Sequence, residues 1–458
     1  MATMSMSIPF HVPNIPKPQD IYSIKPDNSN TTRFVVSQLP NELTHYPASD
    51  LVDQPPHPNK PIIKPGDLDT TPFTYVDTVQ GLECLRSKLE VADEFAVDLE
   101  ANNYRSFQGL TCLMQISTRT EDFVVDTLKL YHFIGQYLGA VFLDPKKRKI
   151  MHGAGNDVLW LQRDFGIFVC NLFDTMQASR VLKMERNSLA HLLVYFCGVS
   201  ANKQFQTSDW RIRPLPREML HYAREDTHYL LYIYDKMRSQ LVAGCGSTEY
   251  DDPLLEVYSR SHNVCKSLYK KELFNEDSYK KLFGLGDAGL DSDQTNVAAR
   301  LCKCRDRIAR DKDESTGYVL PNKLLIELCQ KLPRTESEFL AIAEAHNCQN
   351  HPLILDNIGE LLKIIGNLDS NQNVAQIDYS KQKGMPEDAN TKQSHLEMQY
   401  MYQMNRPQGY YVTAVYPQPQ ACYVNVVYPP GYYISAKHPE LMNPVYCTVP
   451  QYYQYQIC

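Results

Sequence analysis

Four acidic side chains and one phenol are spaced along the chain in a way that could hold divalent cations: Asp98 with Glu100, Asp157, and Tyr222 with Asp226. Phe95 to Ala101 is a short apolar run that reads as a strand. Alternation along a strand sends Asp98 and Glu100 to one face, and Phe95, Val97 and Leu99 to the other. Adjacent carboxylates repel unless a cation or a proton offsets their charge, so this pair is a candidate for a metal site. Asp157 follows the glycine-rich turn His152-Gly153-Ala154-Gly155-Asn156, where small residues let the backbone approach a ligand closely. Tyr222 and Asp226 stand four residues apart in a helical stretch and so share a face. Each element has a plainer reading when taken singly. Asp157 is then a first-turn acid favoured by the helix dipole, and Tyr222 with Asp226 a pair of hydrogen-bonded helix neighbours.

The elements that must position these residues follow from periodicity. Phe95 to Ala101, Thr111 to Ser117 and Asp122 to Asp126 predict three strands in an antiparallel meander. A helix at Lys129 to Phe142, a strand at Lys149 to His152, a helix from Asn156 and a strand at Val169 to Phe173 predict parallel additions to the same sheet. Ser188 to Cys197 and Arg217 to Leu241 read as helices. The fold class is α/β, a mixed sheet flanked by helices over residues 75–245. A helical connector over 246–286 leads to a small all-α domain over 287–370, with Pro321 and Pro333 as helix boundaries.

Both ends differ in kind. Thirteen of the 29 prolines fall between Pro9 and Pro72, so residues 1–74 read as a linker or arm. Residues 401–458 hold twelve tyrosines and only Arg406, Lys437 and Glu440 as charged side chains. That composition makes 371–458 a low-complexity tail, and both terminal segments are expected to be disordered.

A net charge of -7 and a pI near 6.0 argue against a protein that coats nucleic acid by overall basicity, and leave room for a local basic channel. Thirteen cysteines without a two-residue CxxC spacing read as reduced thiols. Met1 to Phe10 lacks the pattern of a signal peptide, and no apolar run is long enough to cross a bilayer, so the expectation is a soluble intracellular protein without a membrane partner.

The order Asp-x-Glu on a strand, Asp after a glycine-rich turn and Tyr-x-x-x-Asp on a helix resembles the DEDD-Y 3′→5′ exonucleases of the ribonuclease D branch. The likeness is strongest to the catalytic exoribonucleases attached to the nuclear RNA exosome. Phe95-Ala96-Val97-Asp98-Leu99-Glu100, Tyr104-Arg105-Ser106-Phe107, Gly109 to Thr118 and Asp209-Trp210-Arg211-Ile212-Arg213-Pro214-Leu215-Pro216 carry it. Asp313-Glu314-Ser315 and Gly317-Tyr318-Val319-Leu320-Pro321-Asn322 resemble the helicase and RNase D C-terminal (HRDC) domain.

The resemblance implies a ribonuclease H-like sheet and hydrolysis of RNA from its 3′ end. It implies two ions, Mg²⁺ with Mn²⁺ as the alternative, held by Asp98, Glu100, Asp157 and Asp226, one activating water and the other stabilising the leaving oxygen. Tyr222, with a reference pKa of about 10, would stay protonated and orient the water. Single-stranded RNA 3′ ends and exosome subunits are the implied partners, in nuclear RNA processing and decay such as rRNA maturation. The implied location is the nucleus, enriched in the nucleolus.

Substrate contacts are expected from His152, Lys203, Gln206, Trp210 and Arg211, with Arg213 beside them, because positive charge and an aromatic face suit single-stranded RNA. The alternative places Trp210 in the core, pairs Arg211 with an acid, and has His152 closing the strand. His191 reads as a boundary histidine, and Cys112, Cys170 and Cys197 as small core residues. Pro145-Lys146-Lys147-Arg148-Lys149 reads as a nuclear-import cluster or a solvated turn.

Two departures from the resembled pattern stand out. Cys304 stands where the resembled family usually has tryptophan and is expected to weaken packing or an RNA contact, and Gly155-Asn156 is expected to loosen the turn before Asp157. Two rival functions remain: a DNA 3′→5′ exonuclease of the same superfamily, and a non-catalytic RNA-binding scaffold.

Overall fold

The sheet is organised around a strand that cannot face water. All eight residues of β3 (Leu110–Ser117) are buried, which requires strands on both sides and helices on both faces. In the computed structural model, which describes residues 11–12, 14–31, 39–51, 62–244 and 252–367, β3 pairs antiparallel with β2 (Glu94–Asn102) and with β4 (Asp122–Val125). This is the expected meander. β1 (Phe73–Val76) adds parallel to β4, while β5 (Arg148–Met151) and β6 (Leu172–Asp174) add parallel beyond β2. The order is β1-β4-β3-β2-β5-β6.

Alternation along β2 divides the core. Phe95, Val97 and Leu99 join Met114 and Ile116 under helices Val79–Val91, Tyr131–Leu143 and Gly155–Phe165. Ala96 faces the opposite layer with Ile150 and Phe173, covered by helices Leu230–Ala243 and Pro253–Cys265. On that same side Leu113 and Val124 meet Met219 and Ala223 of helix Arg217–His228.

Several boundaries differ from the sequence expectation. β1 begins at Phe73, ahead of the expected boundary at residue 75, and the helix after it, capped by Thr78, carries its apolar stripe at Leu82, Leu85 and Leu89. β6 begins at Leu172 because Asn171 adopts a positive φ of 53° and cannot extend the run from Val169. The stretch 217–241 is two helices that meet at Tyr229, next to a His228 tied to Asp122 and to the Gly66 carbonyl. Helix 188–197 finishes as a π turn, Leu193–Cys197, closed by Gly198 at φ 69°. Helix Pro253–Cys265, expected in a connector, packs on the sheet over Ile150 and Phe173, and Ser261 Oγ accepts the Asp174 amide at 3.0 Å.

The second domain packs helices Ser292–Lys312, Asn322–Lys331, Glu336–Ala345 and Pro352–Gly366 around Leu301, Leu325, Phe339, Ile354 and Leu361. Asp291 with Gln294, and Thr335 with Glu338, form capping boxes that fix two helix starts. Cys304 is buried in this core, filling it as a small apolar side chain.

The two domains are joined by a polar lock just beyond β2. Glu314 takes both arms of Arg105 at 2.8 Å, and Asp313 accepts the Phe107 amide at 3.0 Å and the Ser106 hydroxyl at 3.1 Å. The described stretches of the proline-rich segment thread this joint and do more than connect. Lys17 pairs with Glu314 at 3.0 Å, while Gln19 and Asn28 bond to Asp313. The tail beyond 367 lies outside the described residues.

Replacing Arg105 with Ala strands a carboxylate whose side chain is 5% exposed. The loss expected is about 2–3 kcal/mol, less than the ~3–5 for a wholly unpaired buried charge because Lys17 remains, and it is checked by the shift of the urea unfolding midpoint.

Candidate metal centre

β2 lifts Asp98 and Glu100 onto the face that helix Arg217–His228 crosses, and that helix brings Asp226 down to meet them. One carboxylate oxygen from each lies within 4.8 Å of those of the other two. Asp157, from the first turn of helix Gly155–Phe165, stands outside this tight triad. It is near enough that its charge acts on Glu100 and that of Asp98 acts on it. Tyr222, one turn before Asp226, hydrogen-bonds to the Asp226 carboxylate.

The electrostatics are those of a site built for a cation. Burial, joined by neighbouring carboxylates, pushes Glu100, Asp157 and Asp226 well above the usual carboxylate range, and burial raises Asp98 to about 7. Every charged neighbour that shifts them is acidic. Carboxylates gathered in a half-buried cluster without a basic partner offer an all-oxygen donor set, which suits a hard divalent cation. Burial, then the charges of Asp226, Glu100 and Asp98, also raise the Tyr222 phenol, so it keeps its proton.

The turn before Asp157 is pinned. Asp174 accepts the amides of Gly153 at 2.8 Å and Ala154 at 3.1 Å, and also caps the next helix through the Met176 amide at 2.8 Å. Gly153 sits at φ 67°, a left-handed conformation that favours glycine, and a Cβ there would also push on Met176 Cε, 2.7 Å away. Gly155 and Asn156, expected to loosen this turn, are the first residues of the helix itself.

The expected substrate contacts separate into two groups. Lys203 and Gln206 are exposed on either side of Phe205, whose ring packs edge-on against Tyr222 at 5.9 Å. His152 is half-buried; its Nδ1 bonds to Thr175 Oγ1 at 2.9 Å, its Nε2 has no protein partner, and burial lowers its pKa to about 4. The remaining three are committed to the fold. Trp210 is 1% exposed and packs behind Tyr222, with ring centroids 5.9 Å apart. Arg211 is buried against Asp209 at 2.6 Å, and Arg213 forks onto Asp126 at 2.7 and 2.9 Å. Trp210 and Arg211 therefore have no free surface to offer a nucleic-acid strand. The other tryptophan, Trp160, was not singled out from sequence. It is half-buried one turn past Asp157, and the three-residue spacing was the available signal.

Other expectations resolve similarly. His191 is half-buried beside Tyr195, and Cys112, Cys170 and Cys197 are core residues; the nine described cysteines form no disulfide. In the basic cluster, Lys149 is fully buried and bonds to the Asp144 and Lys147 carbonyls, and Arg148 bonds to Tyr234. Lys147 reaches the Glu90 and Ala92 carbonyls. These side chains tie down the turn before β5, with Lys146 exposed, Lys147 half-buried and Arg148 and Lys149 buried. No described helix is long and apolar enough to cross a membrane.

Residues 73–242 match a family model described as 3'-5' exonuclease, and residues 294–349 match the HRDC domain. The chain is 52% identical over 367 residues to protein RRP6-like 2 of Arabidopsis thaliana, covering 78% of this chain and 42% of that one. It is 44% identical over 327 residues to exosome complex component 10 of Homo sapiens, covering 71% and 35%. The crystal structure of the catalytic core of RRP6 from Trypanosoma brucei superposes with a TM-score of 0.68 at 36% identity, covering 77% of this chain and 98% of that one. The chain thus spans less than half the length of these two curated relatives.

Because the carboxylates repel when no cation is bound, Asp226→Asn is expected to raise stability by about 1 kcal/mol in EDTA, or ~2–4 °C in melting temperature. The same variant should lose most of the stabilisation that Mg²⁺ or Mn²⁺ gives the parent protein, as read by calorimetric melting with and without the ion.

Proposed function

The chain belongs to the RRP6 family, and from that membership we propose that it is a metal-dependent exoribonuclease that hydrolyses RNA stepwise from the 3′ end. The observation that carries this reading is the convergence of Asp98, Glu100 and Asp226, with Asp157 beside them and Tyr222 on the same helix face. Mg²⁺ is the proposed ion, with Mn²⁺ as the alternative, and Asp98, Glu100, Asp157 and Asp226 would hold two of them. When bound, such ions activate water and stabilise the departing 3′ oxygen.

The residues of the chain supply orientation. Tyr222 donates a hydrogen bond to Asp226 and stays protonated, so its oxygen lone pairs can accept a hydrogen bond from the attacking water but cannot take a proton as a strong base. That water attacks the terminal phosphorus as the bond to the 3′ oxygen breaks, releasing a nucleoside 5′-monophosphate. Trp160 offers part of its ring near Asp157 as a platform on which the terminal base can stack. His152, on the turn that leads to Asp157, is assigned as a phosphate or sugar contact. Lys203 and Gln206 extend the path outward along the loop that Phe205 ties to Tyr222. We assign single-stranded RNA 3′ ends as substrate, exosome subunits as partners, and nuclear RNA processing and decay, rRNA maturation included, as the setting. Nucleolar enrichment belongs to the same reading.

Purified protein incubated with a 3′-overhang RNA and Mg²⁺ should shorten it one nucleotide at a time to mononucleotides, and EDTA should stop it. A matched DNA strand cut as fast as RNA would overturn the substrate assignment. Asp226→Asn should remove activity, and Tyr222→Phe should lower kcat about 10²-fold with little change in KM. Trp160→Ala should act mainly on KM, checked by initial rates across RNA concentration.

A further inference from the structure

Gln115 lies at the centre of β3, 0% exposed, and neither its Oε1 nor its Nε2 has a protein partner among the described residues. Buried amides are almost always hydrogen-bonded, because stranding one forfeits its hydration with nothing in return. The register shows what it faces. Gln115 is the cross-strand partner of Asp98, so the two side chains project from the same face of the sheet as immediate neighbours. Two residues along β3, Ser117 Oγ meets Thr227 Oγ1 at 2.8 Å, which places this face against the helix that carries Asp226. On the other flank Leu113 packs against Ala223 of the same helix. The amide is therefore enclosed between Asp98 and the Asp226 helix, at the floor of the carboxylate cluster.

We infer that Gln115 is a positioning residue of the metal centre, whose Nε2–H donates to the Asp98 carboxylate oxygen left over when the other oxygen ligates a cation. A carboxylate ligand needs such a partner to fix its rotation, and outer-sphere donors of this kind shape metal affinity without touching the ion. No other side chain on this stretch of β3 supplies one, since Leu113 is apolar and the Ser117 hydroxyl is engaged with Asp122 and Thr227. The inference rests on the metal-centre reading above.

The test uses the full chain and Mn²⁺ titrated by calorimetry. Gln115→Met keeps the side-chain length and removes the donor; Gln115→Leu is a second variant in case the first does not fold. The expected result is Mn²⁺ affinity weakened about 10–100-fold, with the melting temperature in EDTA unchanged or raised. Affinity within twofold of the parent in a folded variant overturns the role of Gln115 while leaving the metal centre standing. A parent protein that binds no Mn²⁺ overturns both.

Discussion

Like charges forced together out of water are the constraint on which the rest of this structure depends. A protein gains nothing in its own stability by collecting Asp98, Glu100, Asp157 and Asp226 in one place, and Coulomb repulsion rises steeply where water is scarce. The scaffold beneath them must be stiff enough to hold that arrangement until cations relieve it. A doubly covered sheet answers this need: β2 is pinned between β3 and β5, and helices close both faces.

Each ligand is then held by something outside the cluster. Asp174 clamps the turn that launches Asp157 and at the same time caps the following helix, so one buried acid serves two elements. Trp210 and Phe205 back the Tyr222 ring, and Asp209 gathers Arg211 and the end of β2 through Asn102. The motif around Trp210 that looks made for RNA works from within the fold. Trp210 packs behind Tyr222 on the helix that carries Asp226, while Arg211 and Arg213 are paired with Asp209 and Asp126.

Much of this was legible in the sequence, for a specific reason. Period-two alternation in β2 and a four-residue spacing on a helix are local geometry, so the faces of Asp98, Glu100, Tyr222 and Asp226 could be read directly. The meander and the all-helical second domain followed from the same periodicities. What could not be read were matters decided by distant partners. Whether Trp210 or Arg211 meets solvent depends on Asp209 and on helix packing, and a basic run such as Lys147-Arg148-Lys149 looks the same whether its side chains reach water or backbone carbonyls. The start of β6 turned on a single positive φ at Asn171, and the proline-rich segment lacked periodicity because its bonds are made to the folded domains.

The lock between Arg105 and Glu314 has a consequence for how this architecture can be inherited. A module that is merely strung beside another can be exchanged by recombination at the connecting stretch. Here Glu314, just past the first long helix of the second domain, neutralises a guanidinium at the exit of the very strand that bears Asp98 and Glu100, and Lys17 from far upstream pairs with the same carboxylate. A chimaera that kept the sheet domain and swapped the helical partner would inherit an unsatisfied cation at the end of the strand that bears Asp98 and Glu100. Drift on either side of that joint is constrained by the other, so the two domains and the segment before them must change together.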